Sequence, residues 1–153
     1  MVLSTQEIEA YILDAFEHVV PIESWGERSF FVNPQNKLKR GTYFATLKSK
    51  DGENDRASHL DRENVFRCNM GLPQPIYETH FGARPKRPSK GGIIEGSWDF
   101  EALDVFTPHP IYGWMGWVAI LNPGQESAGK VTEYLHEAYG KAFTLAQSKI
   151  LKL

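Results

Sequence analysis

The stretch His109-Pro110-Ile111-Tyr112-Gly113-Trp114-Met115-Gly116-Trp117-Val118-Ala119-Ile120-Leu121-Asn122-Pro123 constrains this chain more than any other. Pro110 drives His109 out of the α region into extended backbone. Gly113 and Gly116 leave room for a tight turn or a close backbone approach. Met115 to Leu121 is almost wholly apolar, with β-branched Val118 and Ile120 and aromatic Trp117, which predicts a central strand covered on both faces. Asn122-Pro123 has the form of a helix start, an N-cap followed by Pro at the first helical position, with Gln125 placed to close a capping box. The segment reads as turn, buried strand, helix start.

The rest of the chain supplies elements for that strand to pack with. Ser4 and Glu7 form a capping-box pattern, and Ile8, Ile12, Ala15, Phe16 and Val19 follow at helical spacing up to Pro21, predicting a helix from Thr5 to Val20. Arg28 to Asn33 and Gly41 to Lys48 have strand composition, and the Pro34 to Lys39 linker makes them an antiparallel hairpin. Val65 to Leu72 alternates most cleanly: Phe66, Cys68, Met70 and Leu72 on one side, Arg67, Asn69 and Gly71 on the other, as a half-buried strand requires. Pro73 to Phe81 reads as a short helix closed by Gly82, and Asp99 as the cap of another reaching Phe106. A last helix starts near Gln125, its stripe formed by Val131, Leu135, Ala138, Ala142, Leu145 and Ile150. Residues 83–92, rich in Pro, Gly and basic side chains, read as a mobile loop.

With 153 residues the expectation is a single domain, 1–153, large enough to bury a core without disulfides or metals. The fold class predicted is α+β: a two-layer sandwich with a mainly antiparallel sheet of about four or five strands, and N- and C-terminal helices mainly on one face. Net charge is -2, which argues against nucleic acid as the partner. One cysteine, Cys68, and a start without a basic or long apolar region lead us to expect a cytoplasmic protein with no membrane segment. No spacing matches a cofactor or metal motif, so neither is expected.

His109 is the candidate for catalysis, a general acid or base near neutral pH at the mouth of a central strand. The competing reading is structural, a ring that holds the turn shut. Tyr112 and Trp114 beside it suit a pocket for an apolar or aromatic ligand, or the core. Arg67 and Asn69 present a cationic fork and an amide on a rigid strand, or simply the wet side of a sheet. Grouped with Asp61 and Arg62, these residues would surround a concavity suited to a small carboxylate or phosphate. Binding of a small, anionic ligand near His109 and Arg67 is therefore the leading expectation. An enzyme using His109, or an interaction module whose flat sheet face meets a partner or a second copy in a homodimer, are the alternatives.

His109-Pro110, Tyr112-Gly113, Gly116-Trp117 and Asn122-Pro123 resemble the H-P-x-Y-G-x-x-G-W-x-x-x-x-N-P signature of an uncharacterised bacterial family, a domain of unknown function. Leu60-Asp61-Arg62, Val65-Phe66-Arg67 with Asn69, Phe30-Phe31 and Phe44-Ala45-Thr46 extend the resemblance over essentially the whole chain. It implies no activity. More distantly, the order of elements is similar to that of YjbR or MmcQ-type α+β domains, which implies a frataxin-like double layer and an interaction module of DNA-binding type.

Overall fold

The computed structural model describes residues 2–153. Among the described residues three α-helices, α1 (Thr5–Ala15), α2 (Gln74–Phe81) and α3 (Gln125–Leu151), accompany six strands: β1 (Val19–Ser24), β2 (Glu27–Val32), β3 (Thr42–Lys48), β4 (Arg67–Gly71), β5 (Phe106–Pro108) and β6 (Trp117–Leu121). The strands form one sheet in the order β1-β2-β3-β4-β6-β5, antiparallel at every pairing. The fold is α+β. Among the described residues no helix is long and apolar enough to cross a membrane.

The capping box at the head of α1 forms as its sequence requires: Glu7 N–H donates to Ser4 Oγ and Ser4 N–H to Glu7 Oε1, both at 3.0 Å. The helix is shorter than its apolar spacing predicts. His18 takes a left-handed conformation, φ 66°, and Val19, Val20, Pro21 and Ile22 become the edge strand β1. Proline is tolerated there because an edge strand has one row of N–H groups with no partner strand. The helix expected after Asp99 is likewise absent. Asp99 Oδ1 accepts the N–H of Glu101 at 3.1 Å and closes a turn, while Phe106 enters the second edge strand, β5. These two edge strands bring the sheet to six.

Asn122 does not cap the last helix. It sits at φ 42° and ties two loops together, accepting from Phe66 N–H at 3.0 Å and donating to the Asn64 carbonyl at 2.9 Å. The cap is Gly124, whose N–H is taken by Asp104 Oδ1 at 2.8 Å. That bond, with one from Ser127, holds the Asp104 carboxyl below its ordinary range. Along α3 the buried positions are Val131, Tyr134, Leu135, Ala138, Ala142 and Ala146; Leu145 faces out, half exposed. The alanines let the helix approach the sheet closely enough for Thr42 Oγ1 to donate to the Ala142 carbonyl at 2.7 Å.

The core lies between the helices and one sheet face. Ile8 and Ile12 of α1, Tyr77 of α2 and the α3 stripe share a cluster with Phe66, Cys68, Met70, Leu72, Val118 and Ile120. Burial pushes the Cys68 thiol up to about 12, so it is an un-ionised packing group. A β-bulge organises the opposite face. Phe30 pairs with Ala45 but Phe31 with Tyr43, so Phe44 is the extra residue. Phe44, Ala45 and Leu47 then all join the core, while Tyr43, Thr46 and Lys48 share the other side.

Candidate functional site

The face turned away from the helices carries the polar residues of the central strands. Register places Lys48 beside Arg67, and Thr46 beside Asn69, which in turn lies beside Ala119. Long loops cover this face, so the predicted wet side of β4 is dry: Arg67 and Asn69 are both 0% exposed. Arg67 uses its whole guanidinium within the protein. Nε donates to Asn69 Oδ1 at 2.8 Å, Nη1 to Asp55 Oδ1 at 3.0 Å and to Ser58 Oγ at 2.9 Å, and Nη2 to Asp55 Oδ2 at 2.5 Å. Asn69 passes the network on, donating to Thr46 Oγ1 at 2.9 Å. Burial acts to raise the Asp55 carboxyl, but its hydrogen bonds and charge interaction with Arg67 outweigh this and leave it below the ordinary value.

The partner of Arg67 is thus Asp55, and Asp61 and Arg62 sit elsewhere. Asp61 Oδ1 accepts the N–H of Asp51 at 3.0 Å. Arg62 donates to the carbonyls of Ser58, His59 and Glu101 at 2.9–3.0 Å. Both residues shape the loop after β3, and that loop carries Asp55 and Ser58 to Arg67. Their sequence grouping with Arg67 reflects construction of one loop.

His109 is 3% exposed and is held by its own turn. Its Nδ1 lies 3.1 Å from the backbone nitrogens of both Ile111 and Tyr112, while Nε2 is 3.3 Å from Arg67 Nη2. Three N–H groups therefore converge on one imidazole, and a neutral imidazole has a single acceptor nitrogen. The two backbone contacts assign Nδ1 as that acceptor, so the ring proton is on Nε2. There it meets the guanidinium as donor against donor. Burial, then the adjacent Arg67 charge, hold His109 well below its ordinary value. The ring does hold the turn, by accepting backbone N–H groups at Nδ1.

His109 borders a cleft of about 620 Å³ on this face. Four aromatic side chains line it: Tyr43, Tyr112, Trp114 and Trp117. Gly71 makes room for one of them. A Cβ on Gly71 would stand 2.7 Å from the Trp117 ring, so the indole lies flat on β4, with Tyr43 stacked at 5.0 Å. The basic loop supplies the facing wall through Arg87 to Gly92, and the Arg87 guanidinium sits 4.8 Å above the Trp114 ring. Lys48, Thr46 and Asp55 complete the floor.

Of the residues singled out in the sequence, His109, Tyr112 and Trp114 reach the cleft directly, and Arg67 and Asn69 lie beneath it. Lys48, Thr46, Asp55 and Tyr43 were missed. Tyr43, Thr46 and Lys48 share a face only because of the bulge, for which the sequence has no marker, and Asp55 lies in a loop without periodicity. Among the described residues no group of three or more His, Cys, Asp or Glu side chains could hold a metal ion. No curated protein and no solved structure matches the chain. Residues 3–149 match a family of unknown function, DUF6194, and the chain belongs to that family.

Proposed function

We propose that this protein binds a small molecule in the cleft beside His109. The observation that carries the reading is the cleft itself: about 620 Å³, a size typical of ligand sites, with aromatic walls and a few convergent polar groups. Part of its floor is carried by strands β2, β3 and β6, whose rigidity suits a binding site. In this reading Tyr112, Trp114 and the Nε2 side of His109 meet the ligand. Arg67 and Asn69 act from below by holding the loop that carries Asp55. An acceptor atom lodged beside Nε2–H would give that proton the partner the guanidinium cannot be.

Acid or base work by His109 has less support, since both ring nitrogens already face N–H groups at 3.3 Å or less. The test is a fragment screen read by protein NMR. Binders should shift the amides of residues 109–117 and the Trp117 indole, and Trp114→Ala should weaken them without unfolding the chain. Hits confined to the helical side, or no hits at all, would refute the reading.

A further inference from the structure

The cleft floor holds polar hydrogens that the protein leaves without partners. Lys48 ends β3, and its side chain is only 7% exposed. Among the described residues its ammonium makes no hydrogen bond, and the carboxylate nearest to it, Glu27 Oε1, stands at 3.8 Å. An ammonium has three donors and no acceptor, and no fully buried side-chain nitrogen or oxygen among the described residues lacks a partner, so the donors of Lys48 open on the cleft that it borders. Thr46 faces the same side two residues earlier, about 7 Å along the strand. Its oxygen accepts from Asn69 Nδ2, which frees its own hydroxyl hydrogen for the cleft. Ser29 lies opposite Thr46 in the β2–β3 register and also borders the cleft. One ammonium and two hydroxyls thus stand side by side on paired strands.

Resting on the reading that the cleft binds a small molecule, we propose that this patch is an oxyanion seat and that the ligand is a monoanionic carboxylate with a planar aromatic body. The carboxylate lies on Lys48 Nζ and takes hydrogen bonds from Thr46 and Ser29. The ring lies against the free side of Tyr43, which is 44% exposed and backed by the buried Trp117 indole stacked behind it. Arg67 cannot serve as the seat, because its charge is matched by Asp55 and none of its surface is exposed. The charge of the ligand follows from the neighbours: Glu27 and Asp55 border the same floor and oppose a second negative charge such as a phosphate dianion carries. Arg87 and Lys90 at the rim attract anions from solution.

Benzoate, its neutral isostere benzamide, and phenyl phosphate serve as probes, titrated into the full chain while the tryptophan indole signals are followed by NMR. Benzoate should shift the Trp114 and Trp117 signals saturably and bind more tightly than the other two. Lys48→Met should weaken benzoate about tenfold or more, the size of a lost charged hydrogen bond, leave benzamide unchanged, and be rescued in large part by Lys48→Arg. If Lys48→Met fails to fold, Ser29→Ala, at a position that borders the cleft outside the Arg67 network, carries the same test with a several-fold loss expected. Equal binding of benzoate and benzamide, or indifference to these substitutions, overturns the oxyanion seat while leaving the cleft reading intact. Tighter binding of phenyl phosphate overturns the carboxylate class. Silence from all three probes overturns the proposal, and the fragment screen then decides the cleft reading separately.

Discussion

Asp55→Ala removes the carboxylate from a guanidinium that has no exposed surface. Two of the five guanidinium N–H groups of Arg67 point at Asp55, at 3.0 and 2.5 Å. Two others go to Asn69 and Ser58, and the last faces the His109 ring without an acceptor there; all three neighbours are uncharged. At about 1.5–3 kcal/mol per charged hydrogen bond, the two lost bonds amount to about 3–6 kcal/mol. Breaking a buried ion pair from one side costs about 3–5 kcal/mol, so both routes meet near 4 kcal/mol. Native stabilities of about 5–15 kcal/mol make that a large fraction. Urea unfolding at pH 7 is the assay; with a slope of about 2 kcal/mol per molar, the midpoint should fall by about 2 M. The paired replacement Arg67→Met with Asp55→Leu should recover most of the loss, because an apolar pair leaves no uncompensated charge. A loss under about 1 kcal/mol in Asp55→Ala, or a double variant no better than the single one, would refute the view that a buried ion pair holds the loop to the sheet.

Three further outcomes follow from the same site. His109 stays neutral in the fold well below its ordinary 6.5, so the unfolded chain takes up the proton first. Stability should fall as pH drops below about 6.5, by up to about 1.4 kcal/mol per pH unit for this group. His80, lowered by burial and then by Lys130, adds in the same direction, so comparison with His109→Gln isolates the share of His109; parallel pH profiles would sink the assignment. Asp55, below its ordinary 3.8, acts in a lower window. Its contribution is present above about 3.8 and is lost as pH falls through the folded value. Gly71→Ala places a Cβ 2.7 Å from the Trp117 ring and should cost about 1–3 kcal/mol by overpacking. Unchanged unfolding and unchanged tryptophan emission would show that the indole does not lie on β4.

Much of the fold was legible because its main elements announce themselves locally. The Ser4–Glu7 box, the alternation from Phe66 to Leu72 and the apolar run ending at Leu121 are each decided by neighbours within a few residues. The two edge strands were not legible for a related reason. Val19 to Ile22 continues the apolar spacing of the preceding helix, and only the left-handed His18 separates them. Phe106 to Pro108 is too short to show a period of its own. Asn122-Pro123 had the composition of a cap, but a left-handed Asn serving two loop backbones satisfies the same preference for special φ/ψ and local hydrogen bonding.

The site was legible in part, and the reason bears on how it should be tested. Alternation correctly put Arg67 and Asn69 on the face away from the core, but alternation reports only which residues share a side. It cannot say whether that side meets water or a covering loop, because residues 49–66 bury it with polar groups that have no period. Arg67 therefore links fold and site: it fixes the loop bearing Asp55, and its Nη2 faces the ring proton of His109. Arg67→Ala would disturb stability and ligand binding together, whichever role came first. Lys48 and Trp114 are different. They border the cleft, and among the described residues neither belongs to the Arg67 hydrogen-bond network. Substitutions at these two positions can change binding while the ion pair beneath stays whole, and so they separate a ligand site from a scaffold where Arg67 cannot.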